Sequence, residues 1–356
     1  MPNLLSQIQG HDAVRQRFRR SLESGRLAST FLFVGPEGIG KRSFALGLAQ
    51  ALLCSDVTGD DPLEACGRCE SCKLLAGGTH PDLLRISRPE GKSFIPVELF
   101  IGPQEKRMRE GLCHDIAMKP FLGGRKVALI DDADYLNVEG ANALLKTLEE
   151  PPPRCLMILL GTSAARQLPT IRSRCQIVRF SELSQSIMEQ LIVQQGLVSS
   201  EREAAELAVL AGGSLARGND LADVAVRTFR EQFFERLSEG TVNSLRLATE
   251  VGALVEAAGK EASAKRERLR QVLGWGVEFY RELMRATSGV DPQGDPSLRR
   301  HIATAARKMA SGELAAQCVA RCLESLEQLD RNANTSTLLA CWLDDLERLL
   351  SPSTVS

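Results

Sequence analysis

No apolar run in this 356-residue chain comes near the roughly 18 residues that a membrane-spanning helix needs, and no signal peptide is legible over Met1–Gln9. Both absences predict a soluble intracellular protein, cytoplasmic and without a membrane partner. A charge bias is missing as well, since 44 Lys and Arg stand against 45 Asp and Glu and leave a net charge of -1. Any contact with nucleic acid must then come from a local surface or from partner subunits. Internal repeats and extended low-complexity tracts are absent, so nothing points to a repeat architecture. One last absence is local. Residues 35–41 read Gly-Pro-Glu-Gly-Ile-Gly-Lys, a phosphate-binding loop behind the apolar run Phe31–Val34, yet Arg42 stands where the loop's hydroxyl residue belongs.

In such a loop, consecutive backbone N–H groups around Gly35, Gly38 and Gly40 and a helix N-terminus cradle phosphates. Lys41 reaches the β- and γ-phosphates, and a Ser or Thr directly after it ligates Mg²⁺. Here the cradle and the lysine are present and the metal ligand is not. Ser43 is a poor stand-in, because one step along a helix turns a side chain by about 100°. The expectation is a nucleotide-binding architecture with damaged hydrolytic chemistry.

The composition, 43% hydrophobic and 25% charged, allows two or three domains at this length. A helix with Val14, Phe18 and Leu22 on one face precedes the first strand, and Arg15, Arg17, Arg19 and Arg20 read as its solvated face. Further strands are expected at Leu83–Ile86, Val127–Asp131, Met157–Leu160 and Ile177–Phe180. Each is a short apolar run separated by helical pattern, which implies a parallel sheet covered on both faces. Ala141, Leu144, Leu145 and Leu148 repeat at helical spacing and stop at Pro151-Pro152-Pro153. After Phe180 only helical patterns follow, interrupted by a Gly- and Pro-bearing loop over residues 288–296. We expect an α/β domain at 1–180, a small helical domain at 181–222 and a larger all-helical domain at 223–356.

The run Val127–Ile130 ends in Asp131-Asp132-Ala133-Asp134. A nucleotide-hydrolysing domain keeps one carboxylate there for Mg²⁺ and a second to polarise the attacking water. Asp131 fits the first role; Asp132 is one methylene shorter than the Glu often found in the second. A plainer reading makes these acids helix caps. Thr162 and Ser163 follow a strand at the carboxyl edge of the sheet, where either hydroxyl can sense a γ-phosphate or simply form a turn. Arg174, in Ser173-Arg174-Cys175, can supply charge to a phosphate held by a neighbouring subunit, although a solitary arginine is usually a surface residue.

Of ten cysteines, Cys54, Cys66, Cys69 and Cys72 are grouped with spacing Cys-x11-Cys-x2-Cys-x2-Cys, and Gly67 supplies a tight turn. Such a cluster argues for a structural Zn²⁺ in a module over about 54–72, with His80 as a substitute ligand and free thiols as the alternative. Cys113, Cys155, Cys175, Cys318, Cys322 and Cys341 read as ordinary buried small hydrophobes.

The phosphate loop, the four-cysteine module, Gly78-Thr79-His80-Pro81-Asp82, the stretch Ala141–Pro152 and Ser173-Arg174-Cys175 occur in that order. Together they resemble the AAA+ clamp-loader subunits of bacterial DNA polymerase III, over about the first half of the chain. The resemblance implies an AAA+ P-loop sheet domain, a small helical lid and an all-α collar that builds a five-subunit ring. It also implies ATP as ligand, with Lys41 as loop lysine, Asp131 as metal carboxylate, Thr162 or Ser163 as first sensor, Arg217 as second sensor and Arg174 as a finger acting in trans. Gamma or tau motor subunits, a delta subunit, the sliding clamp and primer-template DNA would be the partners, at the nucleoid. Arg42 and Asp132 depart from the active pattern and favour a largely non-hydrolysing stator over a gamma- or tau-like motor. An adaptor without nucleotide handling stays open.

Overall fold

The computed structural model describes residues 3–56, 60–89, 92–122, 124–309 and 311–351. Residues 57–59 of the cysteine stretch, and Met1 and Pro2 of the stretch read for a signal peptide, lie outside them. The chain forms two compact units, Met1–Gln195 with Gly213–Arg217, and Gly196–Gly212 with Gly218–Ser356.

The first unit holds five strands, β1 (Thr30–Val34), β2 (Leu83–Ile86), β3 (Lys126–Ile130), β4 (Cys155–Gly161) and β5 (Gln176–Arg179). They form one sheet in the order β2-β3-β4-β1-β5, with every pairing parallel. The expected parallel P-loop sheet is therefore present. Its bounds differ from expectation by one or two residues, because β3 and β4 each begin earlier, at Lys126 and Cys155, where Lys126 N bonds Arg154 O at 3.0 Å. All five residues of β1 are buried, as a central strand covered on both faces requires. Phe31 and Phe33 join one apolar cluster with Phe18, Phe44 and Phe180, while Leu32 and Val34 point into the other with Ile130, Leu144 and Ile171.

Among the described residues this unit also holds α1 (Asp12–Glu23), α2 (Lys41–Leu53), α3 (Glu70–Ala76), α4 (Glu98–Ile101), α5 (Leu112–Ala117), α6 (Val138–Glu149), α7 (Pro169–Arg172) and α8 (Gln185–Gln194). Asn137 caps α6, its Oδ1 accepting from Gly140 N at 2.8 Å, and the helix ends before Pro151. The arginines of α1 are not all a solvated face. Arg15 donates to the carbonyls of Leu5 and Ile8, and Arg19 pairs with Asp61, so only Arg17 and Arg20 are exposed.

The second unit is all helical, as expected: α9 (Glu201–Ala211), the end of α10 (Leu215–Ala222), α11 (Val224–Ser238), α12 (Ser244–Ala257), α13 (Ala262–Thr287), α14 (Pro296–Lys308), α15 (Gly312–Asp330) and α16 (Thr335–Leu350). Phe233, Phe234, Trp275, Phe279, Tyr280 and Trp342 interlock in its core. The loop between α13 and α14 is anchored by Asp295, which caps α14 and pairs with buried Arg230 of α11 at 2.6 Å. Among the described residues no helix is long and apolar enough to cross a membrane.

Candidate functional site

β1 leads directly into the phosphate loop, and the loop's conformation depends on glycine. Gly38 and Gly40 adopt φ of 72° and 97°, a region costly for residues with a Cβ. Gly35 N donates to Thr162 O at 3.1 Å, which ties the loop to the end of β4. Lys41 opens α2, and its ammonium donates to the carbonyls of Gly35 and Pro36 at 2.6 and 2.5 Å. Burial pushes this lysine below its ordinary pKa, against the opposing pull of Glu37 and Asp134. Opposite the loop, the first turn of α10 is docked on it. Leu215 N bonds Gly38 O at 3.0 Å, Ser214 Oγ donates to Glu37 O at 2.8 Å, and Arg217 N donates to Ser214 Oγ at 3.2 Å. A Cβ on Gly38 would lie 2.4 Å from the Cβ of Ala216. The stretch that carries Arg217 is thus seated against the loop.

The acids after β3 are all engaged. Asp131 is 7% exposed, and its Oδ2 sits 3.2 Å from Nε of Arg42. Burial raises the Asp131 carboxyl above its usual range, and Arg42 pulls the other way. Asp132 has a left-handed backbone, φ 57°, and its Oδ2 accepts from Arg88 N at 3.2 Å. Asp134 accepts from Thr162 N at 2.8 Å, from the Thr162 hydroxyl and from Gln167 Nε2. Ser163 caps the short turn that follows, its Oγ accepting from Ala165 N at 3.2 Å. Ser43 is exposed. A divalent ion needs several oxygen ligands, and the loop offers no hydroxyl beside Lys41 while Asp131 is taken by an arginine. This residue set does not fit Mg²⁺.

Arg174 lies elsewhere. Its carbonyl accepts from Thr30 Oγ1 at 2.7 Å, at the start of β1. The five residue steps from there to Gly35 span roughly 16 Å at strand rise. The guanidinium therefore belongs to the amino edge of the sheet, away from the loop of its own chain. It is held by Glu149, through Nε at 2.8 Å and through Nη2, and donates to Thr170 O at 3.0 Å and Ser173 Oγ at 3.1 Å.

The cysteine group is compact. The sulfurs of Cys54, Cys66, Cys69 and Cys72 all lie within 4.8 Å of one another, and those of Cys54 and Cys69 are 3.9 Å apart. Four thiolates on one tetrahedral zinc at its usual bond length would stand about 3.8 Å apart. Backbone N–H groups of Cys66, Cys69 and Cys72 donate to the sulfurs of Cys54, Cys66 and Cys69 at 3.4, 3.3 and 3.4 Å, which favours thiolates. Burial pushes the thiols of Cys54 and Cys72 up, whereas at Cys69 burial is outweighed by hydrogen bonds from Ser55 and Cys72, which bring it down to about 6. The four residues could hold one closed, structural metal.

His80 is no substitute ligand. Its Nδ1 accepts from Asp82 N at 3.0 Å, so Nε2 carries the proton toward Ser71 Oγ at 2.7 Å, and both nitrogens are spent. The adjacent Asp82 carboxylate accepts from the N–H groups of Phe121 and Leu122 at 2.7 and 2.9 Å. The Gly78–Asp82 motif therefore clamps the cysteine module and the 121–122 turn to β2, a role its spacing did not signal. Among the scattered cysteines five are buried, whereas Cys341 is exposed on α16.

Comparison with known proteins bears on this arrangement. Residues 10–184 match the family described as DNA polymerase III, delta subunit. The DNA polymerase III subunit delta' of Pseudomonas aeruginosa is 37% identical over 209 residues, 58% of this chain and 60% of that protein. Both likenesses are to delta-type subunits of DNA polymerase III, and the family match covers just under half of this chain. The DNA polymerase III subunit tau of Escherichia coli is also similar, 30% identical over 286 residues, 78% of this chain and 42% of that protein. The chain thus spans less than two thirds of the length of either relative. A DNA polymerase III gamma subunit-related protein from Thermotoga maritima aligns over 94% of this chain and 99% of its own, at 16% identity and TM-score 0.41. Within the delta prime stretch lie the loop, the four cysteines, the acids after β3, Thr162, Ser163 and Arg174; Arg217 falls outside it.

Proposed function

We propose that this chain is a clamp-loader subunit, a delta prime-like stator that helps load the sliding clamp onto primed DNA. The observation that carries this reading is the position of Arg174. A guanidinium roughly 16 Å along a strand from its own phosphate loop cannot reach a γ-phosphate held there, but it can reach one on an adjoining subunit. Its tether supports the same reading, because an exposed pair with Glu149 is weak enough to exchange for a phosphate. Arg174 would stabilise the charge that develops during hydrolysis on a gamma or tau motor subunit. The chain's own site, with Arg42 on Asp131, would contribute little or no hydrolysis, and nucleotide held by Lys41 and the backbone cradle would bind weakly.

In this reading residues 181–222 act as the lid, with Arg217 as second sensor and Thr162 or Ser163 as first, and residues 223–356 as the collar that joins the delta and motor subunits. ATP-dependent assembly opens the clamp, primed DNA enters, and hydrolysis releases the closed ring. The work takes place in the cytoplasm, at the nucleoid. Zinc on Cys54, Cys66, Cys69 and Cys72 would hold the module together. Metal analysis of the purified chain should give one zinc per chain, lost in Cys69→Ser with a stability loss on the order of 5 kcal/mol; a chain without zinc would remove this assignment.

The functional test is the DNA- and clamp-stimulated ATPase rate of the reconstituted loader with wild-type chain or Arg174→Ala. A loss on the order of 10³ is expected from measured arginine fingers. An unchanged rate in a fully assembled ring would overturn the stator reading.

A further inference from the structure

Arg42 and Asp131 face each other across the carboxyl edge of the sheet, where β4 separates the strand that feeds the loop from the strand that ends in the acid. In an active loop a short hydroxyl and a hydrated ion bridge this gap. Here one long side chain bridges it alone, Nε to Oδ2 at 3.2 Å. The Asp131 side chain is 10% exposed and that of Arg42 56%, so the guanidinium covers the carboxylate from the solvent side, the side from which an ion would enter. We infer that Arg42 is the resident cation of this site, excluding divalent metal from Asp131 and masking a latent metal site beneath it.

Of the neighbouring acids, Asp134 is taken up by Thr162 and Gln167, while exposed Asp132 turns Oδ2 to Arg88 N. A metal approaching Asp131 would meet the positive charge of Arg42 directly in front of the carboxylate it must bind. An arginine stays protonated at any ordinary pH, so proton loss cannot relieve the block. With Arg42 shortened to Thr, the same backbone position regains the hydroxyl and the buried carboxylate loses its counter-charge. Both changes favour a divalent ion at one stroke.

The test uses the full, zinc-loaded chain and Mn²⁺ alone as probe, with bound and free ion separated by electron paramagnetic resonance. Wild type should bind no Mn²⁺ that depends on Asp131. Arg42→Thr should gain one Mn²⁺ equivalent that wild type lacks, and Arg42→Thr with Asp131→Asn should lose it. Arg42→Lys, which keeps the charge, should stay as metal-poor as wild type. Wild-type binding that disappears in Asp131→Asn would overturn the inference, and so would a folded Arg42→Thr that gains no Mn²⁺. Should Arg42→Thr fail to fold by circular dichroism, Arg42→Gln removes the charge with less change of volume and must gain the same ion. No clamp, DNA or partner subunit enters the experiment, so its failure leaves the clamp-loader reading standing.

Discussion

The two edges of the central sheet carry arginines in opposite circumstances. At the carboxyl edge Arg42 is fastened to Asp131, a carboxylate whose side chain is 10% exposed. At the amino edge Arg174 is fastened to Glu149, and those two side chains are 30% and 49% exposed. A buried carboxylate that loses its partner is stranded in a poor solvent, so the first pair is held in place. In the second pair both partners are partly exposed, neither carboxylate nor guanidinium is buried, and an ion pair of this kind is worth about 0–1 kcal/mol and can open for a better anion. One edge has its charge closed within the chain, and the other keeps charge on loan.

The largest effect is expected from Arg174→Ala in the assembled loader, with a rate loss on the order of 10³; a loss below about threefold would make the two edges equally idle. Next is Arg42→Ala, expected to cost about 1–3 kcal/mol in denaturant unfolding at neutral pH, because it strands the Asp131 carboxylate. That loss should depend on pH. The Asp131 carboxyl already titrates above its ordinary value in the folded state, chiefly through burial, and removing Arg42 removes an opposing influence. A group that holds its proton more tightly when folded favours the fold below its unfolded pKa, and that contribution is lost as pH rises through the folded value. The Arg42→Ala deficit should therefore shrink on acidification into the carboxylate range; a deficit independent of pH would show that the pair matters for packing alone. The smallest effect belongs to Glu149→Ala, expected to change unfolding free energy by less than about 1 kcal/mol. A much larger loss would mean that Arg174 is locked rather than lent.

Much of the fold is legible in the residue order. Short apolar runs such as Phe31–Val34 and Leu83–Ile86 announce buried parallel strands, and Pro151 marks the end of α6, because local pattern and backbone chemistry act over a few residues. The cysteine spacing is local in the same sense, and it brings four sulfurs within 4.8 Å of one another. Long-range pairings were beyond that reach. Nothing near His80 reveals that Ser71 and the Asp82 N–H would take both of its nitrogens, and nothing in the arginines of α1 reveals that Asp61 and the carbonyls of Leu5 and Ile8 await two of them.

Residue order alone carries the loop, its missing hydroxyl, the acids after β3, the four-cysteine spacing and the passage from strand patterns to helical patterns after Phe180. Each is a matter of residue type at short separation, where covalent geometry alone brings groups together. What the departures mean follows from three-dimensional contacts. The strand order β2-β3-β4-β1-β5 brings Arg42 within 3.2 Å of Asp131 across 89 positions of sequence, and places Arg174 at the edge opposite its own loop. Parallel pairing aligns the ends of strands that are distant in the chain, so charge partners at those ends are chosen by sheet order, which no local pattern encodes.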